Sequence, residues 1–261
     1  MQQVADFIAE CEVLHEALQD VEVDFFSRMT QFKNWTVDDV VTHLHFWNLG
    51  VDQALDAGDG FLELLKEIRS SLEQGGLRAF ENARITERGP VLLDVWRQQY
   101  QAMATRWSAI DPRMRIRWAG PDMSARSAIS ARQMETWAHG QAVFDLLGLD
   151  RPESDRLRNI VYLGVNAFGW SHRVHGLDIP DAMPRLNLVS PSGNLWEFGD
   201  SATDCISGSA VEFCQVITQT RNVLDTSLVV EGKIARQWME NAQCFAGPAE
   251  KPPAPGARFK C

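Results

Sequence analysis

Six histidines are spread over 261 residues, and three positions combine into a plausible ligand set. Glu135 and His139 stand four apart, so on a helix they share a face. Ala128, Arg132, Val143 and Leu146 fall on that face, which makes it largely apolar. A carboxylate and an imidazole are costly there unless paired or bound to a metal ion. His43 and His45 stand two apart on an earlier helical segment, so roughly 200° of helix separates them and one site cannot use both. Val40, Leu44, Trp47, Val51 and Ala54 form an apolar stripe with His43 at its edge. His45 falls opposite, with Asp38, Asp52 and Asp56, and is expected to be solvated. Facing bundle helices commonly supply metal ligands. His43, Glu135 and His139 offer two imidazoles, one carboxylate and an open position, a set that suits a catalytic Zn²⁺ or a similar divalent ion. Taken alone, a Glu-x-x-x-His pair is more often a surface ion pair or a satisfied core hydrogen bond.

Arg132, one turn before Glu135, could hold an anionic substrate or thiol, but a salt bridge to Glu135 or a neighbouring acid is the favoured expectation. His172 and His175 lie near a helix end, where bonds to terminal carbonyls are expected rather than a metal. Trp47 is on the inward stripe, and Trp137, on the far face of its helix, is expected to serve packing.

The elements that must position these groups are mostly helices. Helical periodicity covers 3–19, with Val4, Phe7, Ile8, Cys11, Leu14 and Leu18 on one side. A second helix starts near Thr36, whose hydroxyl can cap it while Asp38 and Asp39 favour its positive end, and runs to about Ala57. A third covers 60–74 and stops at Gly75-Gly76. A fourth runs from Pro90 to about Ile110, a fifth over 127–147, and a sixth over 153–174. Long helices with short breaks predict an up-and-down four-helix bundle with extra helices. Beyond Pro180 and Pro184 the pattern changes: a hairpin at 185–198 turning through Ser190–Asn194, a strand at 204–207, a helix at 209–220, a strand at 227–231 and a helix at 233–243. The fold class is thus α+β: a bundle at 1–176, a small α+β domain at 185–247, and a proline-rich tail at 248–261 expected to be flexible.

Composition limits the function. Hydrophobic residues make up 45%, enough for a real core, and nine tryptophans against two tyrosines suggest large buried anchors or an aromatic-lined cavity. A net charge of −10 with scattered basic residues argues against nucleic acid and anionic membranes as partners. The five cysteines lack C-x-x-C spacing, which fits a reducing compartment, and with no evident signal peptide or long apolar run a cytoplasmic protein is expected.

Two stretches carry a family resemblance. Trp35-Thr-Val-Asp-Asp-Val-Val-Thr-His43-Leu, followed some ninety residues on by Ala131-Arg-Gln-Met-Glu135-Thr-Trp-Ala-His139-Gly, resembles the DinB-like superfamily and, within it, the mycothiol-dependent maleylpyruvate isomerases. The resemblance implies a metal-binding four-helix bundle, a carboxy-terminal domain distantly like sterol-carrier proteins, and His43, Glu135 and His139 as metal ligands. It also implies a low-molecular-weight thiol whose sulfur takes the open metal position and adds to an electrophile. Loss of the thiol after bond rotation gives cis–trans isomerisation; retention gives transfer. In the second domain Ile206-Ser-Gly208-Ser-Ala210 and the later Arg221 are similar to the family's helix start and substrate-binding arginine, although Thr220 stands where the family has glycine. The implied partners are a small electrophile and a thiol, and a homodimer is compatible. The competing class is a non-catalytic module for a metal, a thiol or a small apolar ligand.

Overall fold

The computed structural model describes residues 1–56, 58–72, 76–118 and 122–261. Contacts divide the chain into two compact units, Met1–Val143 and Phe144–Cys261. This division lies upstream of the 176–185 boundary suggested by the sequence.

In the first unit, α1 is Gln2–Leu18, α2 Val37–Gln53, α3 Gly60–Leu72, α4 Gly76–Arg84 and α5 Gly89–Ser108. A two-residue hairpin, β1 Arg115–Ile116 with β2 Met123–Ser124, leads into α6, Ala125–Leu147, whose last residues count with the second unit. α2 ends at Gln53, short of the expected run to about Ala57, because the chain turns at 54–56; Ala57 itself and the end expected at 74–75 lie outside the described residues. α2 starts where Thr36 predicts: the hydroxyl accepts from the Asp39 amide at 3.1 Å and the Asp39 carboxylate accepts from the Thr36 amide at 2.9 Å, a reciprocal capping box.

α2 and α5 run parallel. Asp38 accepts from the Gly89 amide at the start of α5, and Asp52 accepts from Trp107 Nε1 at its end. The bundle is therefore not a plain succession of antiparallel neighbours; α3 and α4 make the crossover between two parallel helices. α4 was absent from the sequence-based elements, where Gly75-Gly76 served only as a stop.

α2 corrects a second expectation. It packs against α3, α4, α5 and the 3-10 turn Val23–Ser27, so residues 40–48 are buried on all sides. His45 is accordingly buried, not solvated, because a central helix retains no polar face.

The second unit contains α7 Arg158–Asn166, α8 Phe168–Val174, β3 Arg185–Val189, β4 Leu195–Phe198, β5 Cys205–Ser209, α9 Ala210–Ile217, β6 Val229–Glu231 and α10 Lys233–Asn241. The sheet order is β4-β3-β5-β6; β3 pairs with β5 in parallel and the other pairs are antiparallel. Leu186, Leu188, Trp196 and Ile206 join Phe213 and Trp238 in its buried core. The helix expected over 153–174 breaks at Ala167 into α7 and α8. Gly164 lets α7 approach α9, since a side chain there would collide with Ile217. The tail is tied down rather than loose: Gln219 Nε2 donates to the Glu250 carbonyl, Asn222 Nδ2 to that of Pro253, and the Cys261 amide to that of Asp145. Among the described residues no helix is long and apolar enough to cross a membrane.

The capping box yields a direct test. Thr36→Ala should lower stability by about 1 kcal/mol in urea unfolding, the usual cost of a lost N-cap; an unchanged midpoint would mean that packing alone sets the start of α2.

Candidate metal centre

α2 and α6 run antiparallel where they meet. Arg132 on α6 fixes the crossing: its Nε donates to Asn48 Oδ1 at 2.9 Å and its Nη2 to the Leu44 carbonyl at 3.3 Å. One turn on, Glu135 Oε2 lies 3.1 Å from His139 Nε2 and 3.4 Å from His43 Nε2. Ligand atoms of the three residues all lie within 4.8 Å of one another. The structure therefore brings His43, Glu135 and His139 together, and two imidazoles with one carboxylate are a donor set that fits a divalent ion. Side-chain exposures of 9% for His43, 13% for His139 and 22% for Glu135 leave the carboxylate side accessible.

Glu81 on α4 completes the setting of His43. Its Oε1 lies 2.9 Å from His43 Nδ1 and accepts from Trp47 Nε1 at 2.8 Å, in a position only 1% exposed. An imidazole whose far nitrogen is held by a carboxylate has a fixed ring and greater basicity, as metal-ligating histidines usually do. The sequence reading missed Glu81 because it missed α4. The available signal was a carboxylate four residues after Leu77 and one after Phe80, on the apolar side of a short helix.

Burial opposes charge throughout the cluster, and partners outweigh it for His43 and Glu135 but not for His139. For His43, burial disfavours the cation, but Glu81 and the bond to Glu135 prevail and raise its pKa to about 9. For Glu135, burial would raise the pKa, yet the two imidazoles hold it well below the ordinary carboxylate value. His139 is lowered, chiefly by burial, which its bond to Glu135 only partly offsets.

Other candidate residues are differently placed. Arg132 is 2% exposed, and its bonds go to Asn48 and Leu44. Arg221, in the second unit, makes a two-pronged pair with Asp145 at 2.6 and 2.8 Å. His172 and His175 bond through Nδ1 to the carbonyls of Phe168 and Ser171, as their place near a helix end implies. Trp137 is fully buried.

Two outcomes follow. A histidine whose folded pKa exceeds its unfolded one gives stability that is full below the unfolded value and lost as pH rises through the folded value. The metal-free protein should therefore lose the His43 contribution between pH 6.5 and about 9, and Glu81→Gln should flatten that alkaline limb in pH-dependent unfolding. Arg221→Ala should cost about 3 kcal/mol, because it strands a buried carboxylate; a loss below about 1 kcal/mol, the range of an exposed pair, would refute that role for the pair.

Comparison with known proteins gives a concordant picture. Two uncharacterised proteins of Mycobacterium tuberculosis, one from strain H37Rv, are 33% identical over 250 residues, covering 94% of this chain and 95% of theirs. The crystal structure of a mycothiol-dependent maleylpyruvate isomerase shares the fold, with a TM-score of 0.55 at 13% identity over 88% of this chain and 91% of that one. A histidine-to-alanine mutant of such an isomerase matches with a TM-score of 0.52 at 12% identity, over 82% of this chain and 87% of that one. Residues 7–144, which hold all three candidate ligands, match the family described as the mycothiol maleylpyruvate isomerase N-terminal domain, and the chain belongs to that family.

Proposed function

We propose that the chain is a metal-dependent enzyme that uses a low-molecular-weight thiol, either as a thiol transferase or as a cis–trans isomerase of an activated alkene such as maleylpyruvate. The observation that carries this reading is the convergence of His43, Glu135 and His139 within 4.8 Å, with the carboxylate side accessible. Zinc is the ion that best suits two imidazoles and a carboxylate, and when bound it lowers the pKa of a coordinated thiol so that thiolate exists at neutral pH. Glu81 orients His43, and Glu135 is held ionised and ready to ligate. Arg132 contributes through its field: its buried charge interacts favourably with Glu135 and Glu81, while its hydrogen bonds serve the helix crossing. Family membership supports the thiol, and mycothiol is the first one to test.

A second reading has an observation of its own. Arg132 and Arg221, the groups best suited to a substrate carboxylate, are both bonded to other parts of the protein. That favours a non-catalytic module holding a metal, a thiol or a small apolar ligand.

Elemental analysis tests the shared part. About one divalent ion per chain is expected in the wild type, with loss in His139→Ala and retention in His45→Ala; equal content in wild type and His139→Ala would remove His139 from the site. A screen of the metal-loaded protein with mycothiol and other small thiols, with maleylpyruvate as electrophile, then separates the classes. Turnover that requires both metal and thiol supports the enzyme, whereas thiol binding without turnover of any electrophile would place the module ahead.

A further inference from the structure

The two candidate imidazoles are anchored in different ways. The far nitrogen of His43 is held by Glu81, but Nδ1 of His139 is buried and has no hydrogen-bond partner among the described residues. Ligation through Nε2, the atom that faces Glu135, would leave the His139 proton on Nδ1 with no acceptor to fix the ring.

Aromatic rings surround that imidazole instead. Trp35 stacks on His139 with an interplanar angle of 3° and centroids 5.5 Å apart, and Phe32 meets it edge-on at 4.9 Å. Trp35 also meets the His43 ring at 5.2 Å. Both aromatic residues project from one tight turn. The Thr30 amide donates to the Trp35 carbonyl at 2.8 Å, Met29 bridges Thr36, and Lys33 and Asn34 take left-handed conformations at φ 50° and 55°. The turn runs directly into the Thr36 cap of α2, so one rigid segment clamps His139 and carries His43.

We propose that Trp35 is a positioning residue for the metal centre: its indole face, with Phe32 at the edge, sets the His139 ring plane where a hydrogen-bonded carboxylate or carbonyl would ordinarily do so. The proposal rests on the metal reading above. It makes His139 the ligand held by shape and His43 the ligand held by charge.

Zinc affinity by chelator competition, together with the visible spectrum of the Co²⁺-loaded protein, tests it on wild type, Trp35→Phe, Trp35→Leu and Phe32→Leu. Trp35→Leu should weaken Zn²⁺ by about 10–100-fold, the usual effect of removing a group that orients a ligand. Its Co²⁺ bands should shift even at saturation, and Trp35→Phe, which keeps an aromatic face, should restore both readouts. General destabilisation would lower the unfolding midpoint without altering the saturated spectrum. Trp35→Leu with wild-type affinity and bands would overturn the proposal and leave the metal site standing. A wild type that takes up no divalent ion would overturn both. Should Trp35→Leu fail to fold, Phe32→Leu carries the same test: weaker zinc and altered bands support the clamp, and wild-type behaviour refutes it.

Discussion

Holding the half-buried carboxylate of Glu135 is the constraint around which the first unit is organised. Even partial removal of such a charge from water is unfavourable unless close partners compensate. Here two imidazoles face the same oxygen, at 3.1 and 3.4 Å. One comes from the next turn of α6 and needs only helical spacing. The other comes from α2 and requires that helix to cross α6 in a fixed register, which Arg132 secures through Asn48 and Leu44. His43 is then itself a buried cation needing a counter-charge, and α4 supplies it as Glu81. The crossover between the parallel α2 and α5 thus provides a residue the cluster cannot spare.

That demand explains why α2 is buried nearly all round. A helix that offers His43 to α6 and α4 while packing along α5 has neighbours in every direction. His45 then shares the burial although it lies outside the His43–Glu135–His139 cluster, and its pKa falls through loss of solvent. In the second unit, by contrast, the sheet and its helices hold Arg221 against Asp145 in an ion pair sheltered from water.

The triad was legible because its geometry is local. Glu135 and His139 declare a shared face by spacing, and His43 sits on the same stripe as Val40 and Trp47. The hairpin through Ser190–Asn194 was legible from alternation and turn chemistry. What stayed hidden depends on packing. His45 was read as solvated because it shares a helix face with Asp38, Asp52 and Asp56, whereas Asp38 and Asp52 direct their carboxylates to α5. Glu81 was hidden because a glycine pair masked the start of α4. The docked tail was misread because proline-rich composition says nothing of the backbone hydrogen bonds that hold it. The family resemblance marked Trp35 only as the first residue of a matching string; its stacking on His139 is a contact across more than a hundred residues.

In the proposed reading, charge balance within the cluster bears on what would fill the open coordination position. Without metal, the carboxylates of Glu81 and Glu135 are offset by two cations, protonated His43 and Arg132, while burial keeps His139 neutral. In the proposed reading His43 would hold a divalent ion as a neutral imidazole, so the bound ion would leave one net positive charge in a sheltered site. An uncharged ligand would leave that excess in place, whereas an anionic one cancels it, and low dielectric magnifies the difference. In that reading the field of Arg132, whose charge interacts with Glu135 and Glu81, would favour an anionic ligand over a neutral one at the accessible position. Arginine at this position would then be more than a brace for the helix crossing, since its hydrogen bonds hold the helices and its charge faces Glu135 and Glu81.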